Sequence, residues 1–238
     1  MTSVFYLKEC ASTNDEIDAF LLYGTSKIQA IYTFNQTKGK GQYGNSWESP
    51  ENLNIAYSLA IPSEKIEVRE NLFNFHTALI LRDFLANLTK TEVKIKWPND
   101  LIIKNKKVSG ILIEKKTINE NPYFIIGIGL NVLQKNFENL PKAGSLLTQT
   151  EISFNLEELT NQLHEFLLKK ISEEISNEKI LENLNKNLFR RDLVSVFEID
   201  GIRQNGIIKN VDDEGFLWLE LENDGLKKFF HKEIELLY

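Results

Sequence analysis

Cysteine is nearly missing from this chain of 238 residues: Cys10 stands alone. That excludes an internal disulfide framework and fits a reducing cytosol. Positive charge is also short, with 28 Lys and Arg against 34 Asp and Glu for a net charge of −6. Nucleic-acid binding draws on basic excess, so a DNA- or RNA-binding role would need a local patch to overcome that sign. Long hydrophobic runs are absent too. The longest, Tyr123–Leu130, is broken by two glycines and falls far short of the roughly 20 apolar residues of a membrane-spanning helix. The opening MTSVFYLKECAS meets charge early and has no signal-peptide core. No repeat, low-complexity tract or Pro/Ser-rich linker is visible. Histidine is sparse as well. His76, His164 and His231 are scattered without metal-ligand spacing and read as surface or structural residues. What remains, 42% hydrophobic and 26% charged residues, is the composition of an ordinary globular protein, and the length suggests one to two domains. The expectation is a cytoplasmic protein with neither membrane nor nucleic-acid partner.

Periodicity supplies the elements. Val4–Leu7 reads as a short strand. Thr13-Asn14-Asp15-Glu16 fits a capping box, predicting a helix over 14–23 that Gly24 stops. Residues 27–34 and 54–61 read as strands flanking a polar, glycine-rich stretch, 35–52. Apolar spacing predicts a helix over 67–88. Strands are expected at 93–97, 101–103, 108–114 and 123–130, with a hairpin turn at Asn105-Lys106, and helices at 156–175 and 178–189. After Arg191 the texture changes. Four short strand candidates, 193–199, 204–211, 216–222 and 227–230, are separated by Asp200-Gly201, Asp213-Glu214-Gly215 and Asn223-Asp224-Gly225. Turn signals that close together suggest a small β-barrel. The domains expected are therefore 1–188, a mixed α/β body, and 189–238, an all-β appendage.

Gly39-Lys40-Gly41-Gln42-Tyr43-Gly44 matches G-x-G-x-x-G literally. A dinucleotide fingerprint, however, runs from a strand straight into a helix, and here Asn45-Ser46-Trp47-Glu48-Ser49-Pro50 follows. A P-loop fails on the same ground, with Asn45 where the phosphate-binding lysine must stand. What the segment offers is backbone N–H groups, glycine freedom and two lysines, Lys38 and Lys40, suited to enclosing an anion.

Four segments in order carry more: Ser12-Thr13-Asn14, then Gln36-Thr37-Lys38-Gly39-Lys40-Gly41 with Trp47, then Lys96-Trp97-Pro98-Asn99-Asp100, then Gly127-Ile128-Gly129-Leu130-Asn131. Lys107-Val108-Ser109-Gly110-Ile111-Leu112-Ile113-Glu114 joins the last two. Together they resemble the biotin–protein ligases. The resemblance covers essentially the whole chain, and KWPND followed by Lys107 is its most specific element. It implies an α+β catalytic domain related to the class II synthetases, a mixed sheet flanked by helices, with an SH3-like C-terminal barrel. The implied substrates are biotin and ATP with Mg2+, through biotinyl-AMP, and the implied partner is a lysine of a biotin carboxyl carrier domain.

The resemblance also assigns residues. Lys107, Asp100 and Lys40 are the expected catalytic groups. Two anions must meet when a carboxylate attacks a phosphate, so fixed cations and backbone donors are the main requirement. Ser12, Thr13, Asn14, Gln36, Gly39, Lys40, Gly41, Gln42, Lys107 and Gly110 are expected around biotin, whose neutral ureido head needs placed polar partners. Lys40, Trp47, Lys96, Asn99, Asp100, Lys107 and Asn131 are expected on the nucleotide side. Asp100 has two readings, a magnesium ligand or acceptor of the incoming lysine's proton, and both stay open. Trp47 and Trp97 are expected to pack as core or lid residues rather than stack on the purine, and Cys10 to pack.

Where many ligases of this kind carry loop arginines, this chain has Gln42 and Asn45. Gln42→Arg is therefore expected to slow release of the adenylate, read by quenched dissociation assays; an unchanged rate removes the idea. The pattern begins within the first dozen residues, so a preceding DNA-binding domain and repressor role are not expected. The 35–52 loop is expected to close over ligand. Lipoate or octanoate ligase activity and an inactive biotin-binding protein are the rival readings. Assembly is open, a homodimer included.

Overall fold

A computed structural model describes residues 4–21 and 27–238. Nine strands belong to the first part of the chain: β1 (Val4–Leu7), β2 (Gln29–Thr33), the short pair β3 (Gly39–Lys40) and β4 (Ser46–Trp47), β5 (Asn54–Pro62), β6 (Lys94–Lys96), β7 (Asp100–Ile103), β8 (Lys106–Ile118) and β9 (Asn121–Asn131). Seven of them form one sheet in the order β1-β2-β5-β9-β8-β7-β6. β1 pairs parallel to β2 and the other neighbours are antiparallel, so the sheet is mixed, as expected.

Side-chain alternation sets the two faces of that sheet apart. On β5, Ile55, Tyr57, Leu59 and Ile61 enter the main core, and on β9 Phe124, Ile126, Ile128 and Leu130 join them. The helices α2 (Glu70–Thr89), α4 (Leu156–Ile171) and α5 (Asn177–Asn187) supply the rest of this core. On the other face Ala60, Tyr123 and Ile125 pack with Ile17 and Leu21 in a second cluster, and beyond them the alternate residues are small, namely Ala56 and Ser58 on β5, Gly127 and Gly129 on β9, and Gly110 on β8. Registry lines them up: Ala56 faces Gly129, Gly129 faces Gly110 and Gly110 faces Asp100, while Ser58 faces Gly127 in the next row. The second face of the sheet thus carries a shallow trough with a carboxylate at its end.

Several expectations shift. The first helix is a single turn, α1 (Thr13–Glu16), continued by a 3-10 turn over Ile17–Phe20; the stop at Gly24 lies outside the described residues. The capping box does not form. Ser12 rather than Thr13 is the N-cap and makes no side-chain cap bond; the Glu16 N–H goes to Ser12 O at 3.0 Å, and the Thr13 N–H and hydroxyl turn to Gln36 Oε1, at 2.9 and 3.3 Å. The β7–β8 turn is Lys104-Asn105, one residue earlier than expected, with φ of 46° and 63°. That is the left-handed pair a two-residue hairpin needs. The helix α3 (Leu146–Thr150), capped by Ser145, was not anticipated; five residues are too few to show a period.

Beyond α5 come β10 (Val194–Ile199), β11 (Ile202–Val211), β12 (Leu217–Leu221), β13 (Gly225–Phe229) and β14 (Glu235–Leu237). They form an antiparallel sheet ordered β13-β12-β11-β10-β14. β14 was not foreseen, being three residues led by a glutamate. This sheet sits firmly on the body. Asn185 Oδ1 accepts from Val211 N at 2.7 Å, Asn71 Nδ2 donates to Asp213 O at 2.7 Å, and Trp97 Nε1 donates to Gly215 O at 3.1 Å.

His76 on α2 is 4% exposed, and its Nε2 finds no partner among the described residues. Burial pushes its pKa down to about 4, so the folded chain refuses a proton that the unfolded chain accepts below about 6.5. The stabilisation is complete above that pH and is lost as the pH falls toward 4. We expect His76→Leu to remove about 2 kcal/mol of the stability lost between pH 7 and pH 5, read as a flatter fall of the urea midpoint. An identical fall in both proteins would contradict it.

Candidate active site

A cavity of about 660 Å3 lies over the small-residue trough, within the size range of small-molecule sites. Its walls come from the start of α1, the β3–β4 loop, the KWPND turn between β6 and β7, Leu188 and Phe189 after α5, and the β10–β11 and β13–β14 turns of the C-terminal sheet.

One end is polar, buried and neutral. Ser12, Thr13, Asn14 and Gln36 converge there and all are buried. Gln36 Oε1 receives the two Thr13 donors, and Ser58 Oγ lies 2.8 Å from Thr13 Oγ1 and 2.6 Å from Asn14 Oδ1. Asn14 Nδ2 donates to Glu114 Oε2 at 2.7 Å. Glu114 and Ser58 thus fix which way the Asn14 amide faces. Glycine at 127 is required, since a Cβ there would stand 2.4 Å from Asn14 Oδ1.

The other end is ionic. Asp100 Oδ1 is 2.7 Å from Lys107 Nζ, and its Oδ2 is 3.7 Å from Lys96 Nζ. Burial pushes the Lys96 ammonium below its usual pKa, with Lys107 and Lys142 acting the same way and Asp100 against them. Between the two ends lies Trp47. A Cβ at Gly129 would meet its indole at 2.3 Å, and one at Gly110 would meet it at 3.1 Å. Lys107 Nζ sits 5.5 Å from the Trp47 ring centroid. The Trp47 Nε1 is buried without a partner among the described residues, leaving a donor in the cavity wall.

Most of the expected site residues therefore meet in one place. Ser12, Thr13, Asn14, Gln36, Lys40, Gly41, Gln42, Trp47, Lys96, Asn99, Asp100, Lys107 and Gly110 line the cavity. Lys40, within that lining, is paired with Asp15 at 2.6 Å, and that hydrogen bond raises its pKa. Gly39 and Asn131 stand outside the cavity lining. Asn131 Nδ2 holds Gly144 O at 3.0 Å, tying β9 to the segment before α3. Gly39 permits the β3–β4 pair to close, for a Cβ there would stand 2.3 Å from Trp47 O. Asn99 spends its amide on Ile111 O at 2.6 Å. Trp97 packs, stacked parallel on His231 with centroids 4.4 Å apart.

Ser58, Glu114, His231 and Lys232 were missed by sequence reasoning. The signal for Ser58 is the alternation of small with large residues along β5; the others have none in the linear sequence. For a metal, the donor set is thin. No group of three or more His, Cys, Asp or Glu converges among the described residues, and both Asp100 oxygens already face ammonium groups. The side chains here do not build a cation cage.

The sequence profile of the Biotin/lipoate A/B protein ligase family matches residues 11–131, the stretch that contributes the trough, the polar end and the lysine–aspartate cluster. The chain belongs to that family. The bifunctional ligase/repressor BirA of Escherichia coli is 27% identical over 203 residues, covering 81% of this chain and 61% of BirA. The biotin–[acetyl-CoA-carboxylase] ligase of Mycobacterium tuberculosis is 27% identical over 193 residues, 79% of this chain and 71% of that protein. Among solved structures, the biotin protein ligase from Aquifex aeolicus in complex with biotin and ATP superposes with a TM-score of 0.79 at 23% identity. That match covers 100% of this chain and 99% of the other, so the two share one fold, C-terminal sheet included.

Proposed function

We propose that this protein activates biotin with ATP to biotinyl-5'-AMP and transfers it to a lysine of a biotin carboxyl carrier domain. The observation that carries this is one cavity with two chemically opposite ends. A buried set of neutral amides and hydroxyls suits a ureido ring, and a lysine pair on one carboxylate suits a phosphate. Names of family relatives such as the acetyl-CoA-carboxylase ligase support the same choice of acid.

In the first step the biotin carboxylate oxygen bonds to the α-phosphorus and the bond to pyrophosphate breaks. Lys107 and Lys96 offset the charge gathering on the phosphate oxygens. The short Lys107–Asp100 contact holds the ammonium in position before ligand arrives, so little reorganisation is left for the reaction. In the second step the carrier lysine's amine attacks the acyl carbon and AMP leaves. Asp100 is the carboxylate in this cluster to accept the amine's proton. Mg2+ bound with ATP would offset charge on the phosphates, and Asp100 is the carboxylate of the lysine cluster that would reach it. Residues 1–188 form the catalytic unit in this reading and 189–238 the C-terminal one. The reaction belongs in the cytoplasm, where a reduced Cys10 fits.

Pyrophosphate exchange into ATP, with biotin, lipoate or octanoate supplied separately, tests the proposal without knowledge of the carrier. Exchange with biotin alone is expected. Exchange with lipoate or octanoate moves the protein to the sister branch of the family. Biotin binding without any exchange leaves an inactive binding protein.

A further inference from the structure

The stem of the glycine loop is anchored to the catalytic body: Thr37 N donates to Cys10 O at 3.0 Å, Lys38 N to Ala11 O at 2.8 Å, and Lys40 pairs with Asp15. The tip is held differently. Tyr43, 52% exposed and in the left-handed region at φ 57°, leans on the C-terminal sheet. Lys232 Nζ donates to Tyr43 O at 3.1 Å and lies 4.8 Å from the Tyr43 ring centroid. The His231 ring is 5.5 Å away. Lys232 itself has φ 67°, so a non-glycine residue takes a costly backbone state on each side of this contact. His231 continues the contact inward by stacking on Trp97, next to Lys96 and in the turn that presents Asp100.

We propose that this contact is a catch, with Lys232 and His231 as positioning residues that hold the loop closed over the activated acid. The proposal rests on the ligase reading above, which says that an acyl-adenylate must be kept from water until the carrier arrives. With glycines at 41 and 44 the tip has little apolar surface to close it. A charge-assisted hydrogen bond and a cation–π contact, both from Lys232, supply the missing hold. The loop therefore opens by releasing Tyr43 from Lys232 and His231, and the C-terminal sheet takes part in the reaction cycle although it carries none of the Lys107–Asp100 chemistry.

Lys232→Ala and Lys232→Arg test the catch by two readouts. Chymotryptic cleavage after Tyr43 in the ligand-free protein is expected to quicken about five- to tenfold in Lys232→Ala, and release of biotinyl-AMP about tenfold. Lys232→Arg should return both to within about twofold of the parent. Unchanged cleavage overturns the catch whatever acid the enzyme activates. Faster cleavage with unchanged release overturns its role in retaining the adenylate. A parent protein that shows no biotin-dependent exchange overturns the ligase reading instead, and cleavage alone then decides whether the catch exists.

Discussion

Replacing Lys107 with alanine lowers biotin-dependent pyrophosphate exchange by roughly 10²–10³-fold, the range seen when one preorganised donor to developing charge is lost. The reason is positional. Lys107 stands over the trough beside Trp47, at the junction of the neutral and ionic ends, and Asp100 holds it there at 2.7 Å. Without it, Lys96 remains as the neighbouring cation, farther from Asp100 at 3.7 Å and with an ammonium that burial already disfavours. Stability should move by less than about 1 kcal/mol, since the Lys107 side chain is one-third exposed and a pair of that exposure contributes little. Lys107→Arg should recover a small part of the rate. It keeps the charge, but the lysine stem already runs close to Gly110, and a planar fork does not follow the same path. Exchange kinetics beside a thermal midpoint separate these effects. A loss below tenfold with an unaltered midpoint would hand the main role to Lys96.

The residues that line this cavity were legible where they stand in consecutive positions. KWPND, the Ser-Thr-Asn turn, the glycine loop and Lys107 each declare themselves locally, and the fold brings them to one cavity. The strands that carry them were legible for the same reason, because alternation along β5 and β9 is a local property. What escaped is what the sheet assembles from a distance. Asn14 and Glu114 are 100 residues apart, and nothing in either neighbourhood announces the other. The capping-box reading of Thr13 failed to a stronger competitor 23 residues away, the Gln36 carbonyl. His231 read as a surface or structural residue, and only the fold shows that Trp97, in another layer of the molecule, is its partner. The turn at Lys104-Asn105 was misplaced by one position because backbone handedness, rather than composition, selects between neighbouring polar pairs.

A methyl group at residue 127 should damage biotin binding as severely as the loss of a whole polar partner. The Cβ of Gly127→Ala would stand 2.4 Å from Asn14 Oδ1 and 2.9 Å from Asn14 Cγ. Asn14 has nowhere cheap to go. Its side chain is short, Ser58 holds its oxygen at 2.6 Å, and Glu114 holds its nitrogen at 2.7 Å. Moving it breaks one or both of these buried bonds, a cost of about 1.5–3 kcal/mol. Biotin affinity by calorimetry should therefore weaken roughly 10- to 100-fold, with a smaller change in exchange rate at saturating biotin. Ser58→Ala distinguishes the two ways this could happen, because it removes the hydrogen bond without adding volume. If both variants weaken biotin alike, the orientation of the Asn14 amide is what the ligand reads. If Gly127→Ala alone does so, the depth of the trough matters and the amide is a bystander. Affinity within twofold of the parent in both variants would place the ureido ring elsewhere in the cavity.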